Sequence, residues 1–112
     1  MPTVIINLGG KNMLICNRRF DTLNRVAIPK EFAEKLKIEK DVPVEITLEY
    51  GDICIRKFDE RDFEKRSYVG IVRDADNLNR VAIPAEYVAM LKLQPSSIMK
   101  ISLEGDVVKI RS

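Results

Sequence analysis

The nine residues Asp21-Thr22-Leu23-Asn24-Arg25-Val26-Ala27-Ile28-Pro29 return as Asp76-Asn77-Leu78-Asn79-Arg80-Val81-Ala82-Ile83-Pro84, at an offset of 55 positions. The inner run Leu-Asn-Arg-Val-Ala-Ile-Pro is identical in both. The same offset carries Arg18 onto Arg73, Glu31 onto Glu86, and Leu36-Lys37 onto Leu91-Lys92. Further on it carries Ile46, Leu48 and Glu49 onto Ile101, Leu103 and Glu104, and Ile55-Arg56 onto Ile110-Arg111. Self-similarity at a constant offset means that one supersecondary unit is built twice.

Each copy reads in the same order. A strand comes first, Met13 to Phe20 and Tyr68 to Arg73. The bend Leu-Asn-Arg follows, and its asparagine is the non-glycine residue best suited to left-handed backbone, so Asn24 and Asn79 are expected there. Val-Ala-Ile is a short buried strand. Pro29 and Pro84 suit the first position of a short helix, with Glu31 and Glu86 in the first turn where the helix dipole favours them. Phe32 with Leu36, and Tyr87 with Leu91, are spaced to form that helix's core face. A hairpin closes each copy. Val44, Ile46 and Leu48 alternate with Glu45, Thr47 and Glu49, Gly51-Asp52 turns, and Ile53 to Ile55 returns. In the second copy Ile101 and Leu103 alternate with Ser102 and Glu104, Gly105-Asp106 turns, and Val107 to Ile110 returns. Such alternation predicts one wet and one dry face.

The chain therefore divides into residues 1–12, an added strand (Thr3–Leu8) with a turn at Gly9-Gly10-Lys11-Asn12; 13–57, the first repeat; 58–67, a charged linker; and 68–112, the second repeat. A single copy of about 45 residues is too small for a good core. The two copies are expected to interlock about an approximate two-fold axis as an intramolecular pseudo-dimer. The added strand offers an edge for further self-association.

Composition narrows the function. With 112 residues and 46% hydrophobic content, the chain is expected to be globular. No apolar run reaches the roughly 18 residues that span a bilayer, and the first residues lack the features of a secretory signal, so no membrane partner and a cytoplasmic location are expected. There is no histidine, and Cys16 and Cys54 are the only cysteines, so the commonest general base, the Ser-His and Cys-His pairs and a full zinc ligand set are all missing. No enzyme, no metal and no cofactor are expected. Both thiols sit in apolar strand-like runs and are expected buried or half-buried and reduced. A net charge of +2 is weak for a nucleic-acid binder, so positive charge must be placed locally.

Gly70-Ile71-Val72-Arg73, Asp76 and Leu78 to Pro84 resemble the N-terminal DNA-binding domain of the AbrB/SpoVT/MazE family. Arg18, Asp21 and Leu23 to Pro29 resemble it in the first copy. The resemblance covers nearly the whole chain, from about residue 13 to 112. It implies a mainly β fold, a swapped-hairpin β-barrel built here by two repeats with one short helix each. It also implies a transcriptional regulator that binds double-stranded DNA with an arginine face: Arg18 and Arg73 from the first strand of each copy, Arg25 and Arg80 from the bend. Arg19 and Lys30 would add local charge. Guanidinium groups suit this role because they grip phosphate bidentately and read the guanine edge.

The departures from that pattern point to weaker or redirected DNA binding. The family's helix arginines are replaced by Ala33 and Glu34 in one copy and by Val88 and Ala89 in the other. Arg25 and Arg80 have a structural alternative as braces for the bend through Asp21 and Asp76. The surface of the second helix, Ala85, Val88, Ala89 and Met90, reads either as core or as a contact patch. The competing function is a protein-interaction module, including an antitoxin-like component that binds a protein partner.

Overall fold

The computed structural model describes residues 4–8, 11–61 and 70–111. The elements run β1 (Val4–Leu8), β2 (Lys11–Arg19), β3 (Arg25–Ala27), α1 (Lys30–Leu36), β4 (Pro43–Glu49), β5 (Asp52–Lys57), β6 (Ile71–Asp74), β7 (Arg80–Ala82), α2 (Ala85–Met90), β8 (Ile98–Glu104) and β9 (Val107–Arg111). The duplication extends to the backbone. Left-handed φ angles recur in pairs at the repeat offset: Asn24 and Asn79 at 58° and 56°, Lys37 and Lys92 at 57° and 53°, Asp41 and Ser96 at 67° and 66°.

The strands form two sheets. Seven lie in the order β1-β2-β8-β9-β5-β4-β6, and β3 and β7 pair as a separate two-stranded ribbon. The copies exchange strands: β2 of the first pairs with β8 of the second, and β6 of the second pairs with β4 of the first. Val26 faces Val81 in the ribbon, and Cys54 faces Lys109 at the centre of the large sheet. In both pairs a residue meets its own equivalent in the other copy. The pseudo-two-fold axis therefore passes through the middle of the ribbon and the middle of the sheet.

The expected barrel does not form. The large sheet ends at β1 and β6, and no pairing joins these two strands. Closure would need the outer edges of β2 and β6 to meet; β1 takes part of the first, from Val4 opposite Ile15 to Leu8 opposite Lys11, and over residues 16–19 no strand pairs with that edge among the described residues. The swapped-hairpin β-barrel is thus corrected to an open, mainly β arrangement of two sheets with two short helices.

One hydrophobic core serves both copies. Val26 and Val81 from the ribbon, Phe32 and Ala33 from α1, and Ile46, Ile53, Ile55, Ile101, Val108 and Ile110 from the sheet belong to a single buried cluster. Tyr87, Val88 and Leu91 pack against it while remaining partly exposed.

Several local expectations shift. Pro29 and Pro84 sit just before the helices, which begin at Lys30 and Ala85. The first hairpin turns at Tyr50-Gly51, because Glu49 pairs with Asp52. Tyr50 and Gly51 both take positive φ, 54° and 83°, which matches the right-handed twist of the flanking strands. Lys11 and Asn12 belong to β2 rather than to a turn. Gly9, Gly10, Tyr68 and most of the charged linker lie outside the described residues.

The polar face of the hairpins is not wet. Glu45, Thr47 and Ser102 are all buried. Longer side chains lie across the shorter ones. The Thr47 hydroxyl donates to Glu49, Arg56 donates to Thr47 at 3.0 Å, and Arg56 pairs with Glu49 at 2.8 Å. In the second copy Ser102 donates to Glu104 at 3.2 Å, and Lys109 pairs with Glu104 at 3.6 Å. Beneath this layer Cys54 is buried as a free thiol, pushed up to about 11 by burial and by the Glu49 charge. Cys16 is also buried and free of any disulfide.

Gly70 shows how closely the backbone approaches this face. Its N–H donates to the buried Glu45 carboxylate at 3.1 Å. A Cβ there would stand 2.6 Å from Glu45 Cγ and Oε2 and 2.8 Å from Thr47 Cγ2. Gly70→Ala should therefore destabilise the protein by about 1–3 kcal/mol, read as a lower midpoint in urea. Val26→Ala and Val81→Ala should each remove about 1.5–3 kcal/mol. Because the core is shared, every variant should still melt in one transition by circular dichroism and fluorescence alike. Two separate transitions would mean that the copies fold independently.

Candidate functional site

The bends that carry the repeated motif are built from one aspartate each. Asp21 Oδ1 accepts the backbone N–H groups of Leu23 and Arg25 at 2.8 and 2.7 Å, and Asp21 Oδ2 accepts Arg25 Nε at 2.8 Å. Asp76 repeats this with Leu78, Arg80 and Arg80 Nε at 2.9, 2.8 and 2.7 Å. A short side chain that bonds its own backbone two residues ahead is the usual way to hold such a turn. The left-handed asparagine then turns its carbonyl across the axis. Asn79 accepts the N–H of Ile28 at 2.9 Å, and Asn24 accepts that of Ile83 at 2.8 Å. Each bend thus anchors the strand end of the other copy.

This arrangement decides where the arginines go. Arg25 is opposite Ala82 and Arg80 opposite Ala27, so with Val26 and Val81 turned into the core these four residues share the outward face. Arg25 and Arg80 are diagonal neighbours on it, about 7–8 Å apart by sheet geometry. They also meet through Asp76, which lies 2.7 Å from Arg80 Nε and 4.0 Å from Arg25 Nη1. The Arg80 Nη groups make no hydrogen bond among the described residues.

The electrostatics are balanced. Two guanidinium groups face two carboxylates, so the ribbon carries no net charge of its own. Burial alone would raise the Asp21 carboxyl, but the N–H and guanidinium of Arg25 and the N–H of Leu23 outweigh it and hold the group below its usual range. Asp76 is lowered in the same way, against the effect of burial, by Arg80 and the N–H of Leu78. Both aspartates are thus charged partners that orient the arginines. Bracing engages Nε of both arginines and, at 4.0 Å, Nη1 of Arg25, and both guanidinium groups remain partly exposed.

The other predicted cations stand on other elements. Arg18 bonds Cys16 Sγ and the Asn17 carbonyl, and Arg19 Nη1 donates to the Ser96 carbonyl at 2.7 Å. These two residues border a depression with Asn17 and Ile98. Arg73 bonds the Val72 carbonyl at 3.1 Å on β6, which is separated from β2 by four intervening strands. Lys30 stands on α1, 4.0 Å from Glu34. Lys30, Lys37 and Lys40 line a second depression beside Asn77 and Asn79, where Glu34 and Glu39 offset them. Strand pairing thus brings Arg25 and Arg80 together, while Arg18, Arg19, Arg73 and Lys30 stand on other elements.

Sequence reasoning missed two residues. Leu23 and Leu78 are 65% and 62% exposed at the two bends. They lie outside any strand alternation, and that was the available signal. Among the described residues no group of three or more His, Cys, Asp or Glu side chains could hold a metal ion, and no helix is long and apolar enough to cross a membrane.

No protein family, curated protein or solved structure matches this chain. With the sheet open as well, the resemblance to the AbrB/SpoVT/MazE domain does not extend to membership.

The lowered carboxyls make stability depend on acid. Asp21 and Asp76 start from 3.8, and Glu49 is brought from 4.5 to about 2, chiefly by the hydrogen bond from Arg56. A depressed folded-state value stabilises fully above the unfolded value and is lost as pH falls through the folded one. The Tm should therefore fall from about pH 4.5 downward. Asp21→Asn with Asp76→Asn should lower stability at neutral pH by about 1 kcal/mol per site and flatten the acid fall. An unchanged acid profile in the double variant would refute the bracing role.

Proposed function

We propose that this chain is a non-enzymatic, cytoplasmic regulator that binds double-stranded DNA with the outward face of the β3–β7 ribbon. The observation that carries the reading is the pair Arg25 and Arg80, set diagonally across a two-fold axis, each held through Nε by its own aspartate. A guanidinium already fixed in place loses little freedom when it grips a phosphate or a guanine edge. A two-fold pair suits the local symmetry of a duplex. The reading draws on placement rather than bulk charge, in keeping with the small net charge of +2. Lys30, Arg18, Arg19 and Arg73 would add longer-range attraction from their separate positions.

The test is a titration of a labelled duplex at several salt concentrations. With so few cations at the contact, log K should fall with log salt at a slope of about −2 to −4. Arg25→Ala and Arg80→Ala should each reduce the slope by about one and together weaken binding at least about tenfold. Binding that ignores both substitutions, or no binding at low salt, would defeat the proposal.

A second reading has its own observation. Leu23 and Leu78 are exposed in the bends that precede the two arginines, apolar side chains suited to a protein partner. A partner whose capture is lost in Leu23→Ser with Leu78→Ser, in a chain that ignores DNA, would favour that reading.

A further inference from the structure

The β3–β7 ribbon has two ends, and they lead into unlike surfaces. Arg80 is opposite Ala27, so at its end one strand runs on through Ile28 and Pro29 into α1, while the other comes from the bend at Asn77 to Asn79. This bend, α1 and the residues after the helix border a depression backed by the buried Ala33 and Ile38. The helix belongs to the first copy and the bend to the second, so the depression exists only because the copies interlock. Lys37, Lys40, Asn77 and Asn79 also line it. Neither of these ammonium groups makes an ion pair, and neither side-chain amide makes a hydrogen bond, among the described residues. Lys37 is the left-handed C-cap that ends α1, and the chain beyond it brings Lys40 back to the same depression.

At the Arg25 end the equivalent positions carry other residues. The repeat offset puts Thr22 where Asn77 stands, Ala85 for Lys30, Lys92 for Lys37 and Pro95 for Lys40. Three ammonium groups are thus reduced to one. The carboxylates go as well, since Glu34 and Glu39 become Ala89 and Gln94. Net charge is therefore the same at both ends, three cations against two carboxylates on one side and Lys92 alone on the other. The ends differ in the number of cationic donors.

We infer that the depression beside α1 takes a phosphate of the duplex backbone, so that the duplex contact continues from the ribbon past Arg80 and is one-sided. The inference rests on the reading of the ribbon as a duplex-binding face. Phosphate oxygens accept hydrogen bonds and carry charge, which suits two ammonium groups and two amides without partners among the described residues. Glu34 lies 4.0 Å from Lys30, which leaves Glu39 as the carboxylate that opposes a phosphate, outnumbered by Lys37 and Lys40. A duplex carries one charge per about 1.7 Å of its length, so one laid along the ribbon offers further phosphates at the ribbon's end. At the Arg25 end Pro95 has no donor to give. A pair of unlike ends suits a target whose two halves differ, whereas a homodimer suits a palindrome.

Titration of a short labelled duplex of mixed sequence with the full chain, at several salt concentrations, tests it. With two arginines and two lysines in contact, log K should fall with log salt at a slope of about −3 to −4. Lys37→Asn with Lys40→Gln should reduce that slope by about two and weaken binding by about five- to thirtyfold, with the circular dichroism spectrum unchanged. Asparagine is the choice at position 37 because it tolerates left-handed backbone. Glu39→Gln should strengthen binding by about two- to fivefold, since the opposing charge is gone. Lys100→Gln removes an equal charge from an exposed position on β8 and should leave the slope unchanged. An unchanged slope in the Lys37 and Lys40 variant overturns the inference, and where Arg25→Ala and Arg80→Ala still weaken binding, the ribbon reading stands without it. An equal loss from Lys100→Gln also overturns it, because net charge alone would then explain the effect. No binding at low salt defeats both.

Discussion

A residue that pairs in register with its own repeat equivalent must lie on the symmetry axis, and this chain does so twice, at Val26 with Val81 and at Cys54 with Lys109. Nearly everything else follows from holding those two pairs in register. The ribbon is only three residues long in each strand, too short to stand alone. It persists because the buried valines lie in the core shared with the large sheet, and because each bend accepts a hydrogen bond from the other copy. Neither repeat has a complete core without its twin. Exchange of β2 and β6 between the halves makes the same point in the large sheet.

That register also explains the behaviour of the charges. Strand pairing puts Arg25 and Arg80 on one face, and the turn chemistry brings Asp21 and Asp76 with them. The aspartates are needed to shape the bends, so they cannot be omitted to make the ribbon more basic. The result is a site whose arginines are well positioned and nearly neutralised. Recognition there depends on the direction of hydrogen bonds, not on a long-range field. On the other face of the sheet the same economy of charge produces a covering layer. Glu49 with Arg56, and Glu104 with Lys109, lie over Thr47, Cys54 and Ser102.

Duplication within one chain allows the halves to diverge. A homodimer must use the same residues at both equivalent positions, whereas here Phe32 is matched by Tyr87, Glu34 by Ala89 and Lys35 by Met90. The added strand β1 belongs to one half alone, and it occupies the edge of β2 from Lys11 to Ile15.

Local chemistry was largely legible in the amino-acid sequence. The repeat offset, the left-handed asparagines, the acidic first turns, the buried thiols and the order of strands and helices all depend on short-range propensity or on self-similarity, and the structure keeps them. Closure of the sheet was not legible. Whether two edges meet depends on which strand reaches each edge first, and that is a competition among residues far apart in the chain. The polar side of the hairpins read as wet because alternation reports which face a residue occupies, not what lies over it. The arginines posed the same difficulty: their positions in the chain were plain, but only pairing between distant strands decided that Arg25 and Arg80 stand together while Arg18 and Arg73 stand four strands apart.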